Sequence, residues 1–137
     1  MLFTSYQQAL DYMGDKPSRP YPKGSPRSTR IVRLHAVVTM LYHYTHVVVY
    51  TPDFMSLDSG GWQTVTTKRR MNDAIGDMLY QKDYIWYVVE KGTERRVKYF
   101  DGIQIDYKGH ILNAPNPLNI KAGQTIKLSL FDFTLNA

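Results

Sequence analysis

The chain has 137 residues, 43% of them hydrophobic and 13% aromatic, which suffices for one hydrophobic core and excludes a wholly disordered protein. It has no cysteine, no run of 18 apolar residues and no basic start followed by an apolar stretch, which argues against a disulfide scaffold, a thiol nucleophile, a transmembrane helix and secretion. The formal net charge of +5 favours an anionic partner.

The N-terminal part of the chain predicts a short helix followed by a basic segment. Apolar residues recur at helical spacing from Tyr6 to Met13, so we expect a helix over residues 4–13 that stops at Gly14. Residues 16–33, here called the basic arm, hold six Lys or Arg and no acid, whereas the rest of the chain holds 11 Lys and Arg against 12 Asp and Glu. Four prolines disfavour helix and central strand in the arm. We expect it to follow a phosphate backbone, or to pack over the domain as a solvated segment.

Strand and turn signals alternate through the middle of the chain. Residues 31–50 are rich in Val, Tyr, His and Thr and predict two strands that form a hairpin, with a break at residues 41–44 and the second strand over residues 45–50. A third strand over residues 54–57 leads into Asp58-Ser59-Gly60-Gly61, where the adjacent glycines indicate a turn with unusual backbone angles.

The clearest helix is predicted over residues 66–79, with Thr66 or Thr67 as its N-cap. Its apolar residues recur at helical spacing and form one stripe: Met71, Ala74, Ile75, Met78 and Leu79. A single stripe predicts that this helix packs on a sheet through one face.

The C-terminal part of the chain predicts further strands. Residues 81–90 and 95–100 predict two strands joined by a turn at Lys91-Gly92, and residues 103–107 predict another. Residues 124–135 predict a last strand, and a slip in their apolar alternation indicates a bulge.

These elements together predict an α+β fold. We expect a mostly antiparallel sheet with one amphipathic helix packed on it, a short N-terminal helix and a C-terminal strand extension. Residues 1–112 are expected to form a single domain that carries the basic arm, and residues 113–137 are expected to form the extension.

The segment from Gly60 to Arg70 predicts an anion-binding site. Lys68, Arg69 and Arg70 fall in the first turn of the predicted helix, where partial positive charge disfavours cations, so their presence beside glycines and threonines favours an anionic ligand. Trp62 would stack on a base or fill the core. In the structural alternative, the threonines only cap the helix and aspartates neutralise the arginines. The candidate anion- or nucleic-acid-binding residues are Arg19, Arg27, Arg30, Trp62, Thr66, Thr67, Lys68, Arg69 and Arg70.

The segment Leu57–Asn72 has the sequence LDSGGWQTVTTKRRMN. It resembles the core motif sGGWxTxTTKxR[MI]N of a family of small uncharacterised bacteriophage proteins, and the resemblance extends over roughly residues 5–106. This resemblance implies a phage origin and the host-cell cytoplasm as the working compartment, and it assigns no catalytic residue.

Signals for catalysis and metal binding are weak in this sequence. His43 and His46 point to opposite faces of an ideal strand, and the two glutamates, Glu90 and Glu94, flank a turn. The chain has no Walker loop, nucleophile elbow or dinucleotide fingerprint. We therefore predict no metal site, no cofactor and no enzymatic activity. The alternative is a small nuclease or phosphoryl hydrolase built from dispersed His and Asp.

Eleven tyrosines are the other unusual feature of the chain. Tyr42, Tyr44 and Tyr50 share parity on the second predicted strand, and Tyr84 and Trp86 share parity on a later one. Either set predicts the solvent face of a sheet that contacts a partner, or a half-buried aromatic layer.

We therefore expect a non-enzymatic binding protein, encoded by a bacteriophage and acting in the host cell, that contacts nucleic acid through its basic surface. The first alternative is an inhibitor that binds the groove or acidic patch of a host defence or nucleic-acid-processing protein. The second is a structural, virion-associated protein that forms a homo-oligomer through residues 124–135. The expected partner is thus nucleic acid or a host protein, and no membrane.

Overall fold

The part of the chain that the structure describes folds into two helices and nine strands. The computed structural model describes residues 1–24 and 26–114. In chain order the elements are α1 (Tyr6–Met13), β1 (Ser18–Pro20), β2 (Thr29–Leu34), β3 (Val37–Tyr42), β4 (Thr45–Tyr50), β5 (Met55–Leu57), α2 (Val65–Ile75), β6 (Leu79–Lys82), β7 (Ile85–Val89), β8 (Arg96–Lys98) and β9 (Ile103–Ile105). The expected α+β fold with a short N-terminal helix is confirmed.

The strands divide between two sheets. One sheet has six strands in the order β1-β2-β3-β4-β5-β9, and the other has three strands in the order β6-β7-β8. Each of these neighbouring pairs is antiparallel. The expectation of a mostly antiparallel architecture is therefore confirmed, with the strands after α2 divided between the two sheets.

The chain from β2 to β4 forms three strands where the sequence predicts two. The expected break at residues 41–44 is confirmed as the turn His43-Tyr44, and β4 has the expected bounds. A second turn, at His35-Ala36, divides the predicted first strand. Both turns begin with a histidine at a φ of 53°, the left-handed conformation that tight hairpin turns require. Because the turn His35-Ala36 contains no glycine, the sequence does not indicate it.

The predicted strand over residues 81–90 is also divided, here by the turn Asp83-Tyr84 between β6 and β7. Both turn residues have positive φ, 52° and 67°. The prediction of one strand is therefore wrong, because a two-residue turn without glycine lies inside the segment.

The basic arm is folded into the six-stranded sheet. Its first part contributes β1 at the edge of the sheet, and its last part contributes β2, which lies between β1 and β3. The prediction that the arm contains no central strand is wrong for residues 29–33, which belong to β2. The four prolines all precede this segment, so they leave its ladder of backbone hydrogen bonds intact.

Helix α2 is shorter than the predicted helix over residues 66–79. Thr64 is the N-cap, and its hydroxyl accepts a hydrogen bond from the Thr67 amide at 3.1 Å. The helix ends at Gly76, which has a φ of 84°. The Asn72 side chain then bonds both backbone groups of Leu79, at 2.8 and 2.9 Å, and so holds the start of β6 against the helix. The predicted end of this helix and its predicted N-cap are therefore both wrong.

The core lies on the face of the six-stranded sheet that contacts the two helices. One row of buried side chains crosses this sheet from β2 to β9: Ile31, Met40, Val48, Leu57 and Ile103. Helix α2 adds Met71, Ala74 and Ile75 to the same cluster, as its apolar stripe predicts. The expected packing of this helix on a sheet is confirmed.

The predicted strand over residues 124–135 lies outside the described residues, so the division of the chain at residue 112 stays a prediction. Within residues 1–24 and 26–114, neither helix is long or apolar enough to cross a membrane. The same residues include no group of three or more His, Asp or Glu side chains placed to hold a metal ion.

Candidate functional site

Residues 58–62, here called the glycine loop, lie between β5 and α2 and are anchored to the rest of the fold by the Asp101 carboxylate. The Asp101 carboxylate accepts the Ser59 amide at 2.8 Å, the Ser59 hydroxyl at 3.2 Å and the Tyr99 hydroxyl at 2.6 Å. Burial alone would raise the pKa of Asp101, but the bonds from Tyr99 and Ser59 outweigh burial and hold that pKa below its ordinary value. The carboxylate therefore stays charged and fixes the loop.

Two further contacts shape the glycine loop. The Gly60 amide donates to the Asp58 carboxylate at 2.7 Å, and the Trp62 amide donates to the Ser59 carbonyl at 3.0 Å. Gly60 has a φ of 64°, and a Cβ at this position would lie 2.7 Å from the Thr45 hydroxyl at the start of β4. Only glycine fits this close approach, so the loop has one well-defined backbone path against the sheet.

The glycine loop displays Trp62 to solvent. The Trp62 side chain is 71% exposed, which contradicts the interpretation that it fills the core. It lies on a groove of about 320 Å³ that also includes the β3–β4 turn, where Tyr44 is 98% exposed. We call this the tryptophan groove, and its lining includes Tyr42, His43, Tyr44, Thr45, Trp62 and Thr64.

The start of α2 forms one end of the tryptophan groove. Its first turn consists of Val65, Thr66 and Thr67, so Lys68 and the two following arginines begin the second turn. The prediction that these cations lie in the first turn of the helix is therefore wrong. The helix begins earlier than it would with Thr66 or Thr67 as its N-cap. Thr67 is buried and its hydroxyl lies 3.0 Å from that of Thr64, so it stabilises the helix start from within the fold.

Arg70 is held inside the structure. Its Nε donates to the Thr29 hydroxyl at 3.0 Å, its Nη1 lies 3.9 Å from the Asp73 carboxylate, and its guanidinium stacks over the Tyr21 ring at 4.9 Å. The side chain is only 12% exposed. These contacts match the structural alternative for this residue, so we leave Arg70 out of the binding surface.

The remaining predicted cationic residues lie on the surface, and some of them are held by contacts with other residues. Arg19 stacks on the Tyr12 ring and donates to the Tyr12 carbonyl, and Arg30 donates from Nε to the Ser18 hydroxyl at 2.7 Å. Arg27 and Arg69 are exposed. Two more candidates lie on α2: Thr66 is half-buried, and the Lys68 ammonium lies 3.4 Å from the Gln81 side-chain oxygen.

One of the surface arginines, Arg27, lies beside the tryptophan groove. The His43 amide in the groove wall donates to the Ser28 carbonyl at 2.9 Å, and Arg27 directly precedes Ser28 in the chain. Arg30 pairs with Leu41, whereas Tyr42 of the groove pairs with Thr29, so the Arg30 side chain lies on the opposite face of the sheet, where it bonds Ser18. Among the residues that the structure describes, neither arginine forms an ion pair. The fold thus brings Trp62 together with unpaired positive charge from the basic arm.

Tyr42 and Tyr44 are predicted as partner-contacting tyrosines, but sequence reasoning missed that they form one aromatic wall with His43 opposite Trp62. The ring centroids of Tyr42 and His43 lie 4.4 Å apart, next to the exposed Tyr44. Strand parity groups Tyr44 with Tyr50, but Tyr50 is fully buried and Tyr44 lies in a turn. The predicted solvent face is therefore wrong for Tyr50, and it is also wrong for the buried Trp86.

Comparison with known proteins places the chain in a family. The family model of the Kyanoviridae Gp96 protein matches residues 24–106, which is more than half of the chain and includes the glycine loop and the tryptophan groove. No curated protein and no solved structure is detectably similar to the chain. The phage origin implied by the motif is confirmed. The chain therefore belongs to the Kyanoviridae Gp96 protein family, a family of bacteriophage proteins.

Proposed function

We propose that this phage protein is a non-enzymatic binding protein that contacts nucleic acid through the tryptophan groove, and that it acts in the host cytoplasm. The observation that carries the proposal is the exposed Trp62 ring on a loop whose backbone is fixed by Asp101 and by the Gly60–Thr45 contact. A loop whose backbone is fixed before binding loses little conformational freedom when a partner stacks on the ring that it carries.

The chemistry of the groove fits the two parts of a nucleotide. Trp62 and Tyr44 offer flat aromatic faces, and stacking of a base on such a ring is tolerant of sequence. Arg27 beside the groove supplies a cation for phosphate, and the hydroxyl of Thr45 supplies a donor within the groove. This combination supports binding to the backbone and bases together.

Replacing Trp62 by alanine should weaken binding to a fluorescent oligothymidylate about tenfold to a hundredfold, since one stacked base contributes roughly 1–3 kcal/mol. Fluorescence anisotropy at about 50 mM salt measures this affinity, and for the unmodified protein the affinity should fall steeply as salt is added. Val65→Ala is the matched control, because Val65 is 65% exposed at the first position of α2, and this variant should bind like the unmodified protein. Absence of binding by the unmodified protein at low salt contradicts the proposal.

Inhibition of a host nucleic-acid-processing protein is the second candidate function, because exposed aromatic rings and arginines also characterise protein interfaces. Under this alternative, the protein recovers a host protein from an infected-cell extract, and Trp62→Ala abolishes that recovery although the protein does not bind oligonucleotide. The virion-associated homo-oligomer remains a separate proposal, since it depends on residues 124–135. Comparing the native mass before and after truncation at Asn113 tests it.

A further inference from the structure

The outer face of the three-stranded sheet is a second surface with aromatic rings and positive charge. Alternate residues of β6 and β7 point to the core, where Leu79, Trp86 and Val88 are buried. The cross-strand row Tyr80–Tyr87–Lys98 therefore lies on the opposite face. We call this opposite face the tyrosine face, and it includes Tyr80, Lys82, Tyr87, Arg96 and Lys98.

The aromatic groups of the tyrosine face are ordered by contacts with one another. The rings of Tyr80 and Tyr87 stack with their centroids 5.5 Å apart and an angle of 27° between their planes. Arg96 donates from Nη1 to the Tyr80 hydroxyl at 2.9 Å, and its guanidinium lies 5.2 Å from the centre of the Tyr87 ring. This exposed guanidinium is therefore held in one position with its other N–H donors available to a ligand.

The charge of the tyrosine face is entirely positive. No residue of β6, β7 or β8 is acidic, and the nearest acids along the chain, Asp83, Glu90 and Glu94, lie in the connections. Lys82 and Lys98 are exposed, and within residues 1–24 and 26–114 neither they nor Arg96 form an ion pair. Three cations without an acidic partner beside two tyrosine rings complement a phosphate backbone with accessible bases.

We propose that the tyrosine face is a second contact surface for single-stranded nucleic acid, separate from the tryptophan groove. This inference rests on the proposed function, since it concerns the same class of partner. Lys82 and Lys98 bind phosphates, Arg96 binds a phosphate or a base edge, and the tyrosine rings contact bases. Single strands fit better than a duplex because unpaired bases can reach the rings.

The test compares two double variants that remove the same charge. Lys82→Ala/Lys98→Ala should weaken binding to oligothymidylate about tenfold at low salt and lower the salt slope by about 1.4, which corresponds to roughly 0.7 for each of two phosphates. Lys91→Ala/Lys108→Ala removes two exposed lysines that lie outside both the basic arm and the tyrosine face, and it should keep affinity and slope. Binding of a duplex of about 20 base pairs should change less than binding of the single strand. Circular dichroism checks that both variants are folded.

The outcomes separate this proposal from the proposed function. If Trp62→Ala weakens binding but the two double variants behave alike, the groove binds nucleic acid and the tyrosine face does not. Equal weakening for single strand and duplex overturns the assignment to single strands. Tighter binding to polyglutamate than to oligothymidylate, with the same dependence on Lys82 and Lys98, identifies an acidic protein as the partner and also overturns it. No binding by the unmodified protein contradicts both proposals.

Discussion

Replacing Asp101 by alanine should lower the free energy of unfolding by about 3 kcal/mol and weaken nucleic-acid binding about tenfold, although Asp101 is not placed to contact the ligand. The substitution removes the acceptor for three donors, and the two residues that carry them, Ser59 and Tyr99, are buried. Buried donors without acceptors cost roughly 1–3 kcal/mol each. The glycine loop would also lose its anchor, so the Trp62 ring would have to be ordered during binding.

Urea denaturation followed by circular dichroism measures the first effect, and anisotropy with folded protein measures the second. Asp101→Asn is the control, because the amide oxygen of asparagine keeps one acceptor. Its free energy of unfolding should fall by only about 1 kcal/mol. Since the pKa of Asp101 is lowered in the folded state, its contribution to stability is present above the ordinary value of 3.8 and is lost as the pH falls through the folded value. Unchanged affinity in a destabilised but folded Asp101→Ala protein would show that loop rigidity does not support binding.

Replacing Glu90 by alanine should lower the free energy of unfolding by about 3 kcal/mol, an effect as large as that of replacing Asp101. Glu90 is 7% exposed, and its carboxylate accepts the Thr93 hydroxyl at 2.6 Å, the Ile111 amide at 2.8 Å and Arg95 Nη2 at 3.3 Å. Ile111 forms an isolated bridge with Ile105 of β9, so this carboxylate joins the end of β7 to the edge of the six-stranded sheet. Ile111 is buried, and a buried donor that loses its acceptor costs roughly 1–3 kcal/mol, to which the lost attraction to the half-exposed Arg95 adds less.

The pH dependence distinguishes this ion pair from simple loss of packing. Burial would raise the pKa of Glu90, but the bonds from Thr93, Ile111 and Arg95 outweigh it and hold the pKa below the ordinary value of 4.5. The contribution of the Glu90 carboxylate to stability is therefore complete above that value and declines as the pH falls further. The difference in the free energy of unfolding between the unmodified protein and Glu90→Ala should accordingly narrow in acid. A difference that stays constant to low pH would mean that the charge is not responsible. Glu90→Gln, which keeps an acceptor for Ile111, should lose about 1 kcal/mol.

Much of the fold follows from local sequence signals. The bounds of β4 and the stop of α1 at Gly14 are predicted correctly, because a turn or a glycine marks each of them. The end of α2 is not predicted, since Met78 and Leu79 continue the helical spacing and are buried, but they reach the core after the chain has turned at Gly76. Burial depends on the tertiary position of a side chain. Periodicity alone therefore cannot distinguish apolar residues inside a helix from apolar residues that reach the core after the helix has ended.

The candidate site was only partly predictable. The motif identifies Trp62 and the glycines, but exposure of Trp62 follows from the Asp101 contact, which joins residues 42 positions apart. Arg70 contacts Asp73 one helical turn away, and Lys23 contacts the same carboxylate from 50 positions away in the chain, so positive charge that looks available in the sequence is partly neutralised in the fold. The tyrosine face depends on a turn at Asp83-Tyr84 that has no glycine to indicate it.

The fluorescence of Trp62 tests most directly whether the tryptophan groove binds nucleic acid. The chain has two tryptophans, of which Trp86 is buried, so a Trp86→Phe protein reports on Trp62 alone. Titration with unlabelled oligothymidylate should quench the emission of Trp62, with a midpoint equal to the affinity measured by anisotropy, because the base stacks on the exposed indole. An emission that stays unchanged while anisotropy shows the oligonucleotide to be bound would contradict the account.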